Sequence, residues 1–208
     1  MMQRHCRLKD LLISLNLLLA PPAMHGAECG AASPDAEAGS PGTEVRPRKL
    51  SAAELKSISS LFRDLEGRWV GFSAVAGCGE FPSDTHVEDD ELTLRAEVER
   101  NASDGIDIHI DMNSTKSNSL SQQVINLYLV DGFLRQTSPG VEGDVETGNV
   151  GDNKLSFMTK GRHLGEGGTT TWNESLMIIS RRSRAFVIEQ KQYNQGTLRY
   201  TQRWTLEK

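Results

Sequence analysis

The sequence predicts an all-β fold, an antiparallel up-and-down barrel of about eight to ten strands with one short N-terminal helix closing an end. Three observations carry this. From Arg68 to the C-terminus, apolar and polar residues alternate with period two in one segment after another. The connections between those segments are short and rich in turn formers, which favours antiparallel neighbours. No second strong helical pattern is present to serve as a crossover between parallel strands. A long meander of this kind removes its exposed edges by closing on itself, with a two-sheet sandwich as the runner-up.

The chain opens with MMQRHCRLKD, which carries Arg4, Arg7 and Lys9, and continues into the apolar run LLISLNLLLA before Pro21 and Pro22. A basic stretch followed by a short apolar one is the pattern of a secretory signal peptide, expected to span residues 1–27. The apolar run falls short of the roughly 20 residues a transmembrane helix needs, so a membrane anchor is the lesser alternative. Glu28 stands directly before Cys29 and is the wrong neighbour for lipid attachment. The protein is therefore expected to be exported, periplasmic or secreted, with no integral membrane span. Removal of the leader would take Cys6 and leave Cys29 and Cys78. Such a pair in an exported chain reads as a disulfide, against the alternative of two unconnected thiols.

Residues 28–49 are rich in Ala, Gly, Ser, Pro and Glu and are expected to form a disordered tail, because they carry little apolar surface to offset the entropy of ordering. One domain is expected over 50–208. Its helix begins at Ser51, with Glu54 three residues on completing a capping box and Leu50 and Leu55 placed as a hydrophobic staple. Leu55, Ile58, Phe62 and Leu65 form one apolar stripe. Gly67 is expected to end the helix in a left-handed conformation. Among the strands that follow, "ELTLRAEVER" and "GIDIHIDM" alternate most clearly, with turns at Asp131-Gly132, Gly151-Asp152-Asn153 and Asn194-Gln195-Gly196.

A formal charge of −5 lacks the basic footprint of a nucleic-acid binder and does not favour anionic membrane surfaces. Asp107, His109 and Asp111 share one strand face, but the opposite face is wholly aliphatic, so the polar row is expected to face solvent. His86 near Asp89, Asp90 and Glu91 lacks ligand spacing. No serine sits in a nucleophile-elbow motif, and "GEGGTTT" lacks the Lys-Ser/Thr of a phosphate loop. "SRRSR" (180–184) reads as a solvated hairpin tip. Glu174 and Glu189 are the carboxylates that an enzyme in the barrel interior would use, on strands of unknown register. No catalytic residue, metal site or cofactor is assigned. The aromatic residues Trp69, Tyr128, Trp172, Tyr200 and Trp204 are either walls of a small-molecule pocket or the filling of a narrow barrel.

With Gly67-Arg68-Trp69 at the first strand, the helix before it, and Arg199 and Arg203 in the last strand, the chain resembles the lipocalin-like, or calycin, superfamily. The likeness covers the order of elements from Ser51 to Lys208. It implies a helix-closed barrel, an Arg or Lys from a late strand packed over the Trp, and a small apolar or amphipathic ligand bound without catalysis. Trp69, Tyr128, Trp172, Tyr200 and Trp204 would then line the ligand site, with Arg199 or Arg203 meeting an acidic head group. The Thr-Asp-Tyr type of signature is missing, and no His follows His163 to hold a heme as in some related barrels. Secreted bacterial barrels that inhibit metalloproteases are similar in outline. They imply the alternative of a protein partner engaged by the N-terminal tail.

Overall fold

The computed structural model describes residues 29–34, 44–78, 85–101, 104–114, 116–138, 141–164 and 170–208, the side chains of 85–91, 138, 141–142 and 162–171 excepted. The expected signal peptide and residues 35–43 of the expected tail lie outside the described residues. The helix α1 runs over Ala52–Leu65. Its capping box is formed: Ser51 Oγ accepts from the Glu54 amide at 3.3 Å, and Glu54 Oε2 accepts from the Ser51 amide at 2.9 Å. Ile58, Leu61, Phe62 and Leu65 are its buried face, with Leu55 partly buried beside them. The helix ends one step earlier than its sequence predicts. Glu66 is already extended, and Gly67 takes φ +122°, a region open to glycine rather than the left-handed helical one, as the first residue of β1.

Eleven strands follow: β1 (Gly67–Cys78), β2 (Thr85–Arg100), β3 (Ile106–Ser114), β4 (Leu120–Val130), β5 (Phe133–Ser138), β6 (Val141–Asp144), β7 (Glu146–Gly151), β8 (Lys154–Leu164), β9 (Thr170–Arg182), β10 (Ala185–Asn194) and β11 (Thr197–Glu207). All pair antiparallel with their chain neighbours except β6 with β7, and β1 pairs with β11. The sheet order therefore ends in β6 and β7, which are consecutive in the chain and separated by Val145 alone. One run of chain pairs with β5 in its first half and with β8 in its second. This exchange of partners makes the barrel nearly closed, and it accounts for eleven strands where about eight to ten are expected. Asp131-Gly132 and Gln195-Gly196 both take positive φ at each residue, as type I′ hairpin turns require.

Inside, Trp69, Leu94, Ile108, Phe157, Ile179, Phe186, Ile188 and Trp204 join the buried face of α1 in one core at the helix end of the barrel. There β1 and β11 approach so closely that a Cβ at Gly71 would overlap the Thr205 carbonyl.

Two described pieces of the expected tail are held by the barrel. At the end away from the helix, Cys29 is bonded to Cys78, with Cα atoms 5.5 Å apart. Ala32 bridges Thr197, and Ser33 N donates to the Gly196 carbonyl at 2.7 Å. The second piece lies on β7 and β8. The register of β7 shifts between Thr147 and Val150, and Arg48 reaches the Thr147 and Gly148 carbonyls there at 3.0 and 2.9 Å. The Lys160 ammonium donates to the Glu44 carbonyl and to Glu146, both at 3.2 Å. Arg48 also bonds Glu54 Oε1 at 2.6 Å. This bond, with those from Ser51, lowers the Glu54 pKa from its ordinary 4.5 to about 2.

Two outcomes are expected. Gly71→Ala lowers unfolding free energy by about 3 kcal/mol, at the upper end of over-packing costs, because backbone cannot move aside as a side chain would. Gly77→Ala, which meets nothing within 4 Å, changes stability by less than about 0.5 kcal/mol in the same urea titration. Second, because the folded pKa of Glu54 is depressed, its stabilisation is complete above 4.5 and is lost as pH falls through about 2. The gap in urea midpoint between the native chain and Glu54→Gln is therefore constant above pH 5 and narrows between about pH 4.5 and 2.

Candidate functional site

Strand alternation sorts every side chain of the barrel wall to one face or the other. Trp204 and Leu206 are fully buried in the core. The register shift at Tyr193 sets Leu198 in the row of Tyr193 and Glu174, whereas Tyr200 and Gln202, on the same phase of β11 as Trp204, also face the interior. On β1 that phase carries Trp69, Gly71, Ser73 and Val75, on β10 Phe186, Ile188 and Gln190, and on β9 Ser175, Met177 and Ile179. Read from the helix upward, the interior changes character. Aromatic and aliphatic side chains fill the helix end, and a polar belt follows.

The belt spans four strands. Gln202 on β11 donates to Ser73 Oγ on β1 at 3.1 Å and accepts from the Tyr200 hydroxyl at 2.8 Å. Gln190 on β10 stands directly across from Gln202 and donates to Ser175 Oγ on β9 at 3.0 Å. The Met112 thioether lies beneath, 3.5 Å from the Trp204 indole nitrogen and 3.8 Å from the Gln202 amide nitrogen. Ser73 and Gln202 are buried, whereas Ser175, Gln190 and Tyr200 are half-buried. Exposure thus rises toward the end away from α1.

Of the residues expected to form the site, the structure brings Trp69, Tyr200 and Trp204 into the interior. Trp69 and Trp204 are core filling: both are buried, and Trp69 donates to the Leu65 carbonyl at 2.8 Å and meets Phe186 edge-on at 4.7 Å. Arg199 and Arg203 alternate with Tyr200 and Trp204 and so lie on the outer face. The cation over Trp69 is Lys208, whose ammonium is 4.7 Å from the ring centroid and donates to the Glu66 carbonyl at 3.2 Å. The final residue has that reach because it follows β11 at the helix end. Tyr128 faces outward opposite Arg135, and its hydroxyl accepts from Thr137 at 3.3 Å. Trp172 shares the outward phase of Glu174 and is half-buried.

The other candidates also find places. Asp107, His109 and Asp111 lie on the outer face, with Ile106, Ile108, Ile110 and Met112 buried opposite. Asp111 accepts from Gln122 at 2.8 Å and Asp107 from Asn101 at 3.1 Å. Among the described residues no cluster of His, Cys, Asp and Glu is arranged to hold a metal ion. Glu174 stands opposite Tyr193, and Glu189 opposite Ile178 and beside Lys191, in separate rows and outside the lumen. In the Arg-rich turn, Arg181 pairs with Asp64 of α1 at 2.5 Å and ties the helix to the barrel, while Arg182 and Arg184 are exposed. His86 and His163 lie outside the described side chains. A groove of about 1140 Å³ runs along the outer face of β1 to β4, between rows containing Val70, Arg95 and Asp111 and Phe72, Thr93 and Leu120. Val70 and Leu120 there are the exposed large apolar side chains among the described residues.

Ser73, Ser175, Gln190 and Gln202 are among the interior polar groups that sequence reading passed over, with Ser114 and Gln136 buried on the inward phase of β3 and β5. Their signal was phase: each lies an even number of residues from a buried aromatic or aliphatic residue on its own strand.

No protein-family model matches this chain, and no curated protein matches it. The fold itself defines its class, an antiparallel, nearly closed β-barrel with one end covered by a helix, consistent with a calycin-like barrel. Among the described residues no helix is long and apolar enough to cross a membrane.

Trp69→Phe is expected to lower stability by about 2–3 kcal/mol in urea unfolding, since it leaves the buried Leu65 carbonyl without its donor and shrinks the ring that Phe186 meets.

Proposed function

We propose that this chain is an exported, non-catalytic, lipocalin-like barrel that carries a small apolar or amphipathic molecule in its lumen. The observation that supports this best is the graded interior: an apolar end under α1, then a polar belt whose members become more exposed toward the opposite end. Ligand pockets commonly pair apolar walls with a few placed polar groups. The Cys29–Cys78 bond fits an oxidising compartment and hence export.

The outer groove of β1 to β4, with Val70 and Leu120 exposed, favours a second reading in which a secreted protein partner is bound. A tail-borne version of that reading has residues 34–43 between the two held pieces, at Cys29–Ser33 and Glu44–Arg48, from which to present an arm.

The test is native mass spectrometry of the mature protein purified from its own host, before and after organic extraction. A reproducible extra mass, lost on extraction, is the expected result. A clean apo mass together with capture of a stoichiometric partner protein would move the assignment to the second reading.

A further inference from the structure

The outer wall of β1 to β4 presents two rows of side chains set by the strand register. One is Val70, Arg95, Asp111 and Gln122, and the other is Phe72, Thr93, Asn113 and Leu120. Leu120 is 79 % exposed and Val70 59 %, and no other large apolar side chain is exposed among the described residues. Both line the groove on this wall, with half-buried Phe72 beside Val70. The charges of the wall are open as well. Arg68 pairs with Glu97 at 3.0 Å, but the exposed Arg95 makes no ion pair among the described residues. Asp111 is exposed and accepts from the Gln122 amide at 2.8 Å, which leaves its charge without a cation there.

The order within the rows is self-complementary. A two-fold axis parallel to the strands, set over the line between β2 and β3, lays each row on the same row of a second copy with its order reversed. Arg95 of each copy then lies over Asp111 of the other, and Phe72 over Leu120, with Val70 flanking that apolar contact. Thr93 meets Asn113 between them. The next row toward α1 sets Glu97 against His109, while one row further Glu99 and Asp107 carry like charges. The twist of two sheets packed face to face parts them at that corner. Every contact forms twice across the axis. A different protein would have to supply this reversed order of charged and apolar groups by coincidence.

We infer that the outer face of β1 to β4 docks a second copy of this chain, joined by two Arg95–Asp111 ion pairs and two Phe72–Leu120 contacts. The groove then belongs to a like chain instead of the foreign partner of the second reading, whatever the lumen holds. A face four strands wide, at about 4.8 Å per strand, is small for a permanent dimer, so a Kd on the order of 10 μM is expected. The exposed ion pairs set the registry of the two copies more than their affinity.

The test is sedimentation velocity of the disulfide-bonded protein from about 1 to about 200 μM, where the dimer is expected to grow with concentration. Leu120→Asp should raise Kd about tenfold or more and leave the urea midpoint unchanged, since that side chain is exposed. Arg95→Asp and Asp111→Arg, each alone, set like charges across the axis and should weaken self-association about tenfold. Mixed one to one, these two variants should form a heterodimer with Kd within about threefold of the native value, because both ion pairs return between chains. An effect confined to either chain would not be cured by mixing. The rescue should vanish when both variants also carry Leu120→Asp, which separates docking from simple attraction of opposite net charge. A monomer throughout the range, or a native dimer that none of these substitutions weakens, would overturn the inference. So would a monomer that captures a different secreted protein through Val70 and Leu120, which would support the second reading instead.

Discussion

The indole N–H of Trp69 meets the Leu65 carbonyl at the last turn of α1, and that bond sets the relation of helix to barrel. Leu65 is the final helical residue and Gly67 the first of β1, so the bond spans the point where the chain changes direction. The same ring meets Phe186 of β10 on one side and Lys208 on another. Helix, first strand, tenth strand and C-terminus thus converge on one side chain, with its only polar atom satisfied. An unpaired indole at this depth would cost the desolvation of its N–H, so the helix end is held where the carbonyl is. Gly71, two residues on, lets β11 bend over β1 close enough to complete the wall.

Closure at the other seam has a different physical basis. β6 and β7 form one run of chain bent at Val145, and each half satisfies its backbone against a different neighbour. A sheet built this way leaves little edge for another chain to pair with. The shift in β7 leaves the Thr147 and Gly148 carbonyls to be met by Arg48, which is itself held by Glu54. The capping carboxylate of α1 is thereby joined to the seam. Its low pKa records how many donors converge on it: the Arg48 guanidinium first, then the Ser51 amide and hydroxyl.

Inside the barrel, the ordering of side chains along each strand becomes an ordering by depth. Trp204, Gln202 and Tyr200 are two residues apart on one face of β11 and run from buried core to half-exposed wall. Neighbouring strands repeat this, with Phe186, Ile188 and Gln190 on β10 and Trp69 and Ser73 on β1. A gradient that is unremarkable on one strand becomes an apolar core bordered by a polar belt once strands are set side by side.

Local chemistry alone determined much of this protein. The Ser51–Glu54 box and the apolar stripe from Ile58 to Leu65 specify α1, and the alternation in β2 and β3 specifies which face is buried, because these signals depend on residues a few positions apart. The outward row of Asp107, His109 and Asp111 was legible for the same reason. Strand phase also placed Arg203 opposite to Trp204, so grouping both around one ligand asked more of β11 than a pleated strand allows. The rest depends on residues far apart in the chain. That Lys208 rather than an arginine covers Trp69, that Gln190 faces Gln202, and that Val145 passes the chain from β5 to β8 are matters of register and closure. Those are settled only when the whole sheet pairs, because each strand's position is the sum of every turn and bulge before it.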